Sequence, residues 1–169
     1  MSGRCCTLAE VGCSQSHLAL WRLGAERREP LMIFEDDVFF CDDIAAHLRR
    51  PLPLPDDLGI FYLGATRREG CRPFEGPGIY ELSGCRTTHA YVISPRACDR
   101  LLDFAESLPN IASDDYTLLS HRNGSVRAHI YLPFWAVQTN DVSDIRVRKP
   151  LRYRFGNLFE GMLPRDASA

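Results

Sequence analysis

The chain has 169 residues, enough for one domain, and its 45% hydrophobic and 25% charged content is that of a soluble globular protein able to bury a core. Its net charge of -2 gives no basic field for nucleic acid, and no apolar run nears the roughly 18 residues of a membrane span. The seven cysteines are odd in number and form no C-x-x-C pair; with no apolar leader before them they read as reduced thiols of a cytoplasmic protein, at spacings that argue against zinc.

Thr7-Leu8-Ala9-Glu10 predicts a capping box opening a helix that runs to about Leu23 and stops at Gly24. Glu10, Ser14, His17 and Trp21 share one stripe of it, with Leu8, Gly12, Ala19 and Leu23 opposite. The expectation is that the apolar side packs while the polar stripe presents groups toward a site. Leu31–Phe34, following Pro30, predicts a strand buried on both faces that ends in Glu35-Asp36-Asp37. Asp42-Asp43 precede a short helical stretch to about Arg49, and Pro51, Pro53 and Pro55 stiffen the next connection.

Residues 59–64 read as a second buried strand, 67–77 as a polar loop and Ile79–Leu82 as an edge strand. A strand over 88–93 leads into a helix with Ser94 as N-cap and Pro95 at its first position, directing Ala97, Leu101, Leu102 and Ala105 to the core. Ser113-Asp114-Asp115 predicts the cap of a further helix through Leu119, and residues 130–137 are extended. The domain is placed at residues 1–145, with 146–169 an irregular basic tail. Alternating strands and helices predict an α/β fold around a mixed, largely parallel, Rossmann-like sheet with flanking helices. Ligands bind such sheets at the carboxyl ends of strands, where Glu35-Asp36-Asp37 falls.

Three consecutive carboxylates repel one another, and burying them unpaired is costly. A divalent cation, Mn²⁺ or Mg²⁺, removes that repulsion on Asp37 with Asp36 or Glu35, and also grips a diphosphate. On extended backbone Glu35 and Asp37 point one way and Asp36 the other. The same triplet also serves as a solvated acidic turn or as partners for arginines. His17 has two readings, a ligand for a sugar or diphosphate and a helix-fixing hydrogen-bonding group. Glu10 similarly either serves the site or only the capping box, and His89 is either a ligand or a packed histidine.

The neighbouring residues carry a resemblance. The segment from Thr7 to His17 with Trp21, then Leu31-Met32-Ile33-Phe34-Glu35-Asp36-Asp37-Val38, then Thr88-His89-Ala90-Tyr91-Val92-Ile93-Ser94, resemble in order the signature blocks of glycosyltransferase family 25. Asp114-Asp115-Tyr116, and Gln138 with Ser143-Asp144-Ile145, match weaker later signals. The family includes bacterial lipooligosaccharide galactosyltransferases and animal collagen galactosyltransferases.

The resemblance implies a GT-A-like fold and a metal-assisted inverting hexosyltransferase. Its donor would be a nucleotide sugar, UDP-galactose by family habit, and its acceptor a glycan or glycolipid such as a lipooligosaccharide. Glu10, Ser14, His17, Glu35, Thr88 and His89 would bind substrate. Asp115, ahead of Asp114, would be the general base, since inverting transfer needs a carboxylate by the acceptor hydroxyl; capping is the other use of this pair.

Family members usually begin with an additional strand and helix, and Met1 lies almost on the second block. The expectation is that the first βα unit is missing, that donor binding is weak and that the unpaired sheet edge promotes self-association. The basic run Arg146, Arg148, Lys149, Arg152 and Arg154 suggests weak peripheral contact with anionic headgroups at the inner membrane face, an approach to the donor diphosphate, or a solvated tail. Two other readings use the same residues: a catalytically inactive remnant acting as a binding or structural domain, and a metal-dependent hydrolase.

Overall fold

The computed structural model describes residues 6–49, 58–108 and 111–138. The connection bearing Pro51, Pro53 and Pro55, the Ser143-Asp144-Ile145 segment and the basic tail from residue 146 lie outside the described residues. Helix α1 spans Leu8–Arg27, followed by β1 (Leu31–Phe34), β2 (Val38–Phe40), α2 (Ile44–Leu48), β3 (Ile60–Tyr62), β4 (Arg68–Glu69), β5 (Arg72–Pro73), β6 (Ile79–Leu82), β7 (Gly84–Cys85) and β8 (Ala90–Ile93). Helices α3 (Pro95–Ser107) and α4 (Ser113–Arg122) precede β9 (Ala128–Tyr131) and β10 (Ala136–Gln138).

Six strands form one sheet in the order β1-β8-β3-β9-β6-β5, and β2 with β10 and β4 with β7 form two-stranded sheets. This is a mixed α/β architecture, but the expected parallel character is corrected. Within the six-stranded sheet the β3–β9 pair is parallel, while β1–β8, β3–β8, β6–β9 and β5–β6 are antiparallel. Hydropathy reports whether a strand is buried, not which neighbour it takes.

The sheet splits its side chains by the two-residue period of a strand. Ile60 and Tyr62 of β3, with Tyr91 and Ile93 of β8, enter a core completed by Leu18, Trp21, Ala97, Leu101 and Tyr116 from the helices. Phe61, Leu63, Ala90 and Val92 enter a second core with Trp135 and Ala136. Strand β1 is an edge among the described residues, and Met32 is 38% exposed, so the expectation of burial on both faces fails there. Strand β6, expected at an edge, lies between β9 and the two-residue β5.

Helix α1 opens with the expected capping box: Thr7 Oγ1 accepts from Glu10 N–H at 3.2 Å, and Glu10 Oε2 accepts from Thr7 N–H at 2.8 Å. It does not stop at Gly24 but continues to Arg27, capped by Arg28 in the left-handed region at φ 56°. Gly24 is instead a packing contact, since a Cβ there would lie 2.9 Å from Cys98 Sγ. The packing face is also the reverse of the expected one. Glu10, Ser14, His17 and Trp21 are buried, whereas Leu8 is 92% exposed and Gly12 and Ala19 face solvent. The inner stripe packs because its polar groups are satisfied, Glu10 by the helix cap and Ser14, His17 and Trp21 by distant segments. Helix α3 begins as expected, with Ser94 Oγ accepting from Ala97 N–H and Pro95 in the first turn. In α4 the N-cap is Ala112 with no side-chain cap, so neither Asp114 nor Asp115 caps the helix.

Candidate functional site

The centre of the site is built where α1 crosses the end of β1 and the start of β8. Pairing of Phe34 with Ala90, continued by Glu35 N–H donating to His89 O at 2.9 Å, sets Glu35 beside the residues 88–89. Thr88 Oγ1 donates to Glu35 Oε1 at 2.8 Å, and His17 Nε2 meets the same oxygen at 3.2 Å. The other ring nitrogen, His17 Nδ1, lies 2.8 Å from the Tyr91 hydroxyl, which also accepts from Trp21 Nε1–H at 3.0 Å. One continuous network therefore joins the α1 stripe to the first acidic residue and to the strand of the third block.

Electrostatics fit this arrangement. Burial works against a charge on His17, but its contacts with Cys13 and then Glu35 outweigh burial and push its pKa up to about 9. Burial also opposes ionisation of Glu35. The bonds from His17 and Thr88, with the nearby charges of His17 and His89, still hold its carboxyl below the usual range. At neutral pH the pair is imidazolium and carboxylate, and both ring nitrogens of His17 donate.

The amino-terminal end of α4 closes the same region. Ser14 Oγ accepts from Ser113 N–H at 2.9 Å, and Cys13 Sγ lies 3.9 Å from Ser113 Oγ. Asp114 and Asp115 thus start one residue beyond a direct contact with α1. Asp115 is held by Arg86 Nη2 at 2.6 Å. Asp114 is half-buried, and burial, with the charge of Asp115 next, raises its pKa.

The acidic turn itself is divided. Residues 36–37 form a turn rather than extended backbone, so the alternating geometry expected for Glu35, Asp36 and Asp37 does not apply. Glu35 points into the network, Asp36 is exposed, and Asp37 Oδ2 accepts from Gln138 Nε2 at 2.9 Å. Pairing of Val38 with Gln138 in the β2–β10 ribbon brings that amide to Asp37. Asp37 Oδ1 is buried with no hydrogen-bond partner among the described residues. Glu10, expected at the site, is engaged by the helix cap. His89 is buried at 1% exposure at the foot of β8.

Sequence reasoning passed over two contributors. Cys13, counted only among the thiols, has its sulfur grouped with His17 and Glu35 so that one atom of each lies within 4.8 Å of the others. Its place on the α1 stripe between Glu10 and His17 was the available signal. Tyr91, present in the sequence reading only as a member of the third block, supplies the hydroxyl that links His17 to Trp21. Among the described residues no helix is long and apolar enough to cross a membrane.

No curated protein matches the chain. The resemblance carried by α1 and the acidic motif is matched over residues 1–73, which fit the family model for glycosyltransferase family 25 (LPS biosynthesis protein).

Proposed function

We propose that the protein is an inverting glycosyltransferase that moves a hexose, galactose, from a nucleotide sugar such as UDP-galactose to a glycan acceptor of the lipooligosaccharide type. The observation that supports this most is convergence. Blocks separated by up to about a hundred residues meet through the contacts His17–Glu35, Thr88–Glu35, His17–Tyr91 and Ser14–Ser113. Three of these blocks bear the resemblance to the family, and two lie within the matched stretch. A GT-A-like arrangement is part of this proposal.

The acidic turn suits a hard divalent cation. Asp37 keeps a buried, unsatisfied carboxylate oxygen, and Asp36 is an exposed second carboxylate beside it. Asp37 and Asp36 would hold Mn²⁺ or Mg²⁺, which supplies charge neutralisation of the departing diphosphate. Glu35 is committed to His17 and Thr88, so its part is to position the turn rather than to take a full share of the ion. His17, Ser14 and Thr88 are buried, so their part is to hold Glu35 and the start of α4 in place behind the surface on which donor and acceptor would lie. Asp114 fits the base better than Asp115: burial lifts its proton affinity toward the working range, while Arg86 occupies Asp115. It would take the acceptor hydroxyl proton as the oxygen attacks the anomeric carbon from the face opposite the nucleotide.

The test is sugar transfer from UDP-galactose to a truncated lipooligosaccharide with Mn²⁺ present, followed by product mass and anomeric configuration. Inverted galactosyl product is expected. Asp114→Asn should lower turnover by roughly a hundred- to ten-thousandfold while Asp115→Asn lowers it less. Absence of transfer from every UDP-hexose, together with absence of UDP-dependent Mn²⁺ binding, would overturn the proposal.

A further inference from the structure

Outside this site, three potential ligands gather at the end of the β2–β10 ribbon. Cys41 Sγ, an Asp43 carboxylate oxygen and a His47 ring nitrogen all lie within 4.8 Å of one another. His47 Nε2 is 3.0 Å from Asp43 Oδ2. Each backbone is pinned where it stands. Cys41 N–H donates to Trp135 O at 2.9 Å, Ile44 N–H to Cys41 O at 3.1 Å, and His47 N–H to Asp43 O at 3.1 Å. The His47 ring stacks on Trp135 with centroids 4.5 Å apart and planes 21° from parallel, which sets its orientation. The group is open to solvent, since the Asp43 side chain is 66% exposed and Cys41 and His47 are half-buried.

We propose that Cys41, Asp43 and His47 form a binding site for a borderline-soft divalent cation, Zn²⁺. A thiolate, an imidazole and a carboxylate oxygen are all zinc ligands, and three protein ligands with a water in the fourth position make a tetrahedral site. On binding, the Cys41 thiol releases its proton to solvent, His47 Nε2 gives up the proton it directs at Asp43 and presents a lone pair with the ring proton left on Nδ1, and the ion sheds bound waters. The C-x-x-C rule used on the sequence misses a mixed set spaced as Cys-x-Asp-x-x-x-His. The other trio, Cys13, His17 and Glu35, is a poorer host because Tyr91, Glu35 and Thr88 already use its donors and acceptors. A cation at Cys41 would staple the turn after β2 to the start of α2, distinct in chemistry from the hard-cation turn at Asp36 and Asp37.

The test titrates the full chain, reduced, with Co²⁺ as a spectroscopic stand-in and then displaces it with Zn²⁺. One equivalent should give thiolate-to-cobalt charge-transfer absorption with tetrahedral d–d bands, and Zn²⁺ should abolish both. Cys41→Ser should remove the charge-transfer band. His47→Gln should weaken Zn²⁺ binding by more than about tenfold, at least the effect of losing an outer-shell partner. Cys13→Ser should leave both signals intact, and Zn²⁺ should raise the thermal midpoint of wild type but not of Cys41→Ser. Absence of a charge-transfer band in the wild type, or a band that survives Cys41→Ser, would overturn the site.

Discussion

Two buried histidines that meet tyrosines of the first core have opposite chemistry. His17 faces the Cys13 sulfur and the Glu35 carboxylate, and together they outweigh burial and raise its pKa to about 9. His121 faces neutral partners: Tyr62 Oη lies 2.8 Å from its Nε2, and Val126 O lies 2.9 Å from its Nδ1. Burial is the leading cause in the second case and pushes the pKa down to about 4. A carbonyl only accepts, so Nδ1 carries the proton and Nε2 accepts from the tyrosine. Similar burial thus gives a charged group in one place and a neutral one in the other, and the partner decides which. The charged one lies in the candidate site; the neutral one holds the end of α4 to the central strand.

The sharpest way to break this contrast is to remove the carboxylate. Glu35→Ala should leave buried His17 either with an uncompensated charge or forced to give up its proton, and should destabilise by about 3 kcal/mol in urea unfolding at pH 7, the low end for breaking a buried pair because Glu35 keeps some solvent contact. Tyr62→Phe should cost about 2 kcal/mol by leaving the buried Nε2 of His121 unsatisfied, and this loss should be unchanged across pH 7–9. Thr88→Val should cost about 1.5 kcal/mol, one hydrogen bond to a charged acceptor. Leu8→Gln should change stability by less than about 0.5 kcal/mol, since Leu8 is 92% exposed.

The last of these runs against the sequence, and shows where legibility ends. The starts of α1 and α3 were readable because caps are local: Thr7 with Glu10, and Ser94 with Pro95, act within one turn. The end of α1 was not readable, because Gly24 is selected by contact with Cys98, far along the chain. Strand direction failed for the same reason, as β8 inserts antiparallel between β1 and β3. On α1 the spacing puts Glu10, Ser14, His17 and Trp21 on one face, as the structure has them, but it does not reveal that this face is buried. Helical spacing groups residues on a face; it does not tell whether Tyr91, Glu35 and Ser113 will arrive to satisfy them. At the site, the acidic motif stands out by composition, while its division into a Glu35 committed to His17 and Thr88, an exposed Asp36 and an Asp37 bonded to Gln138 depends on the turn and on the β2–β10 pairing.

The histidine contrast also sets the pH dependence of stability. A folded pKa raised above the unfolded value gives His17 a stabilisation fully present below about 6.5 and lost as pH climbs through about 9. His121 works in the other direction. Its depressed pKa gives a stabilisation present above about 6.5 and lost as pH falls through about 4. Glu35 adds to the acid-side loss, because its lowered pKa makes its contribution vanish as pH drops through the folded value. Stability is therefore expected to be greatest near neutrality and to decline on both sides.

The most direct test of the network that joins the motif blocks is a histidine-resolved NMR titration from pH 3.5 to 10 on wild type and Glu35→Gln. The account predicts that His17 titrates with a midpoint near 9 in wild type and clearly lower in Glu35→Gln, while His121 stays near 4 in both. A wild-type His17 midpoint at or below the ordinary 6.5, or one that Glu35→Gln leaves unmoved, would contradict the charged pair on which the assembly of the site rests.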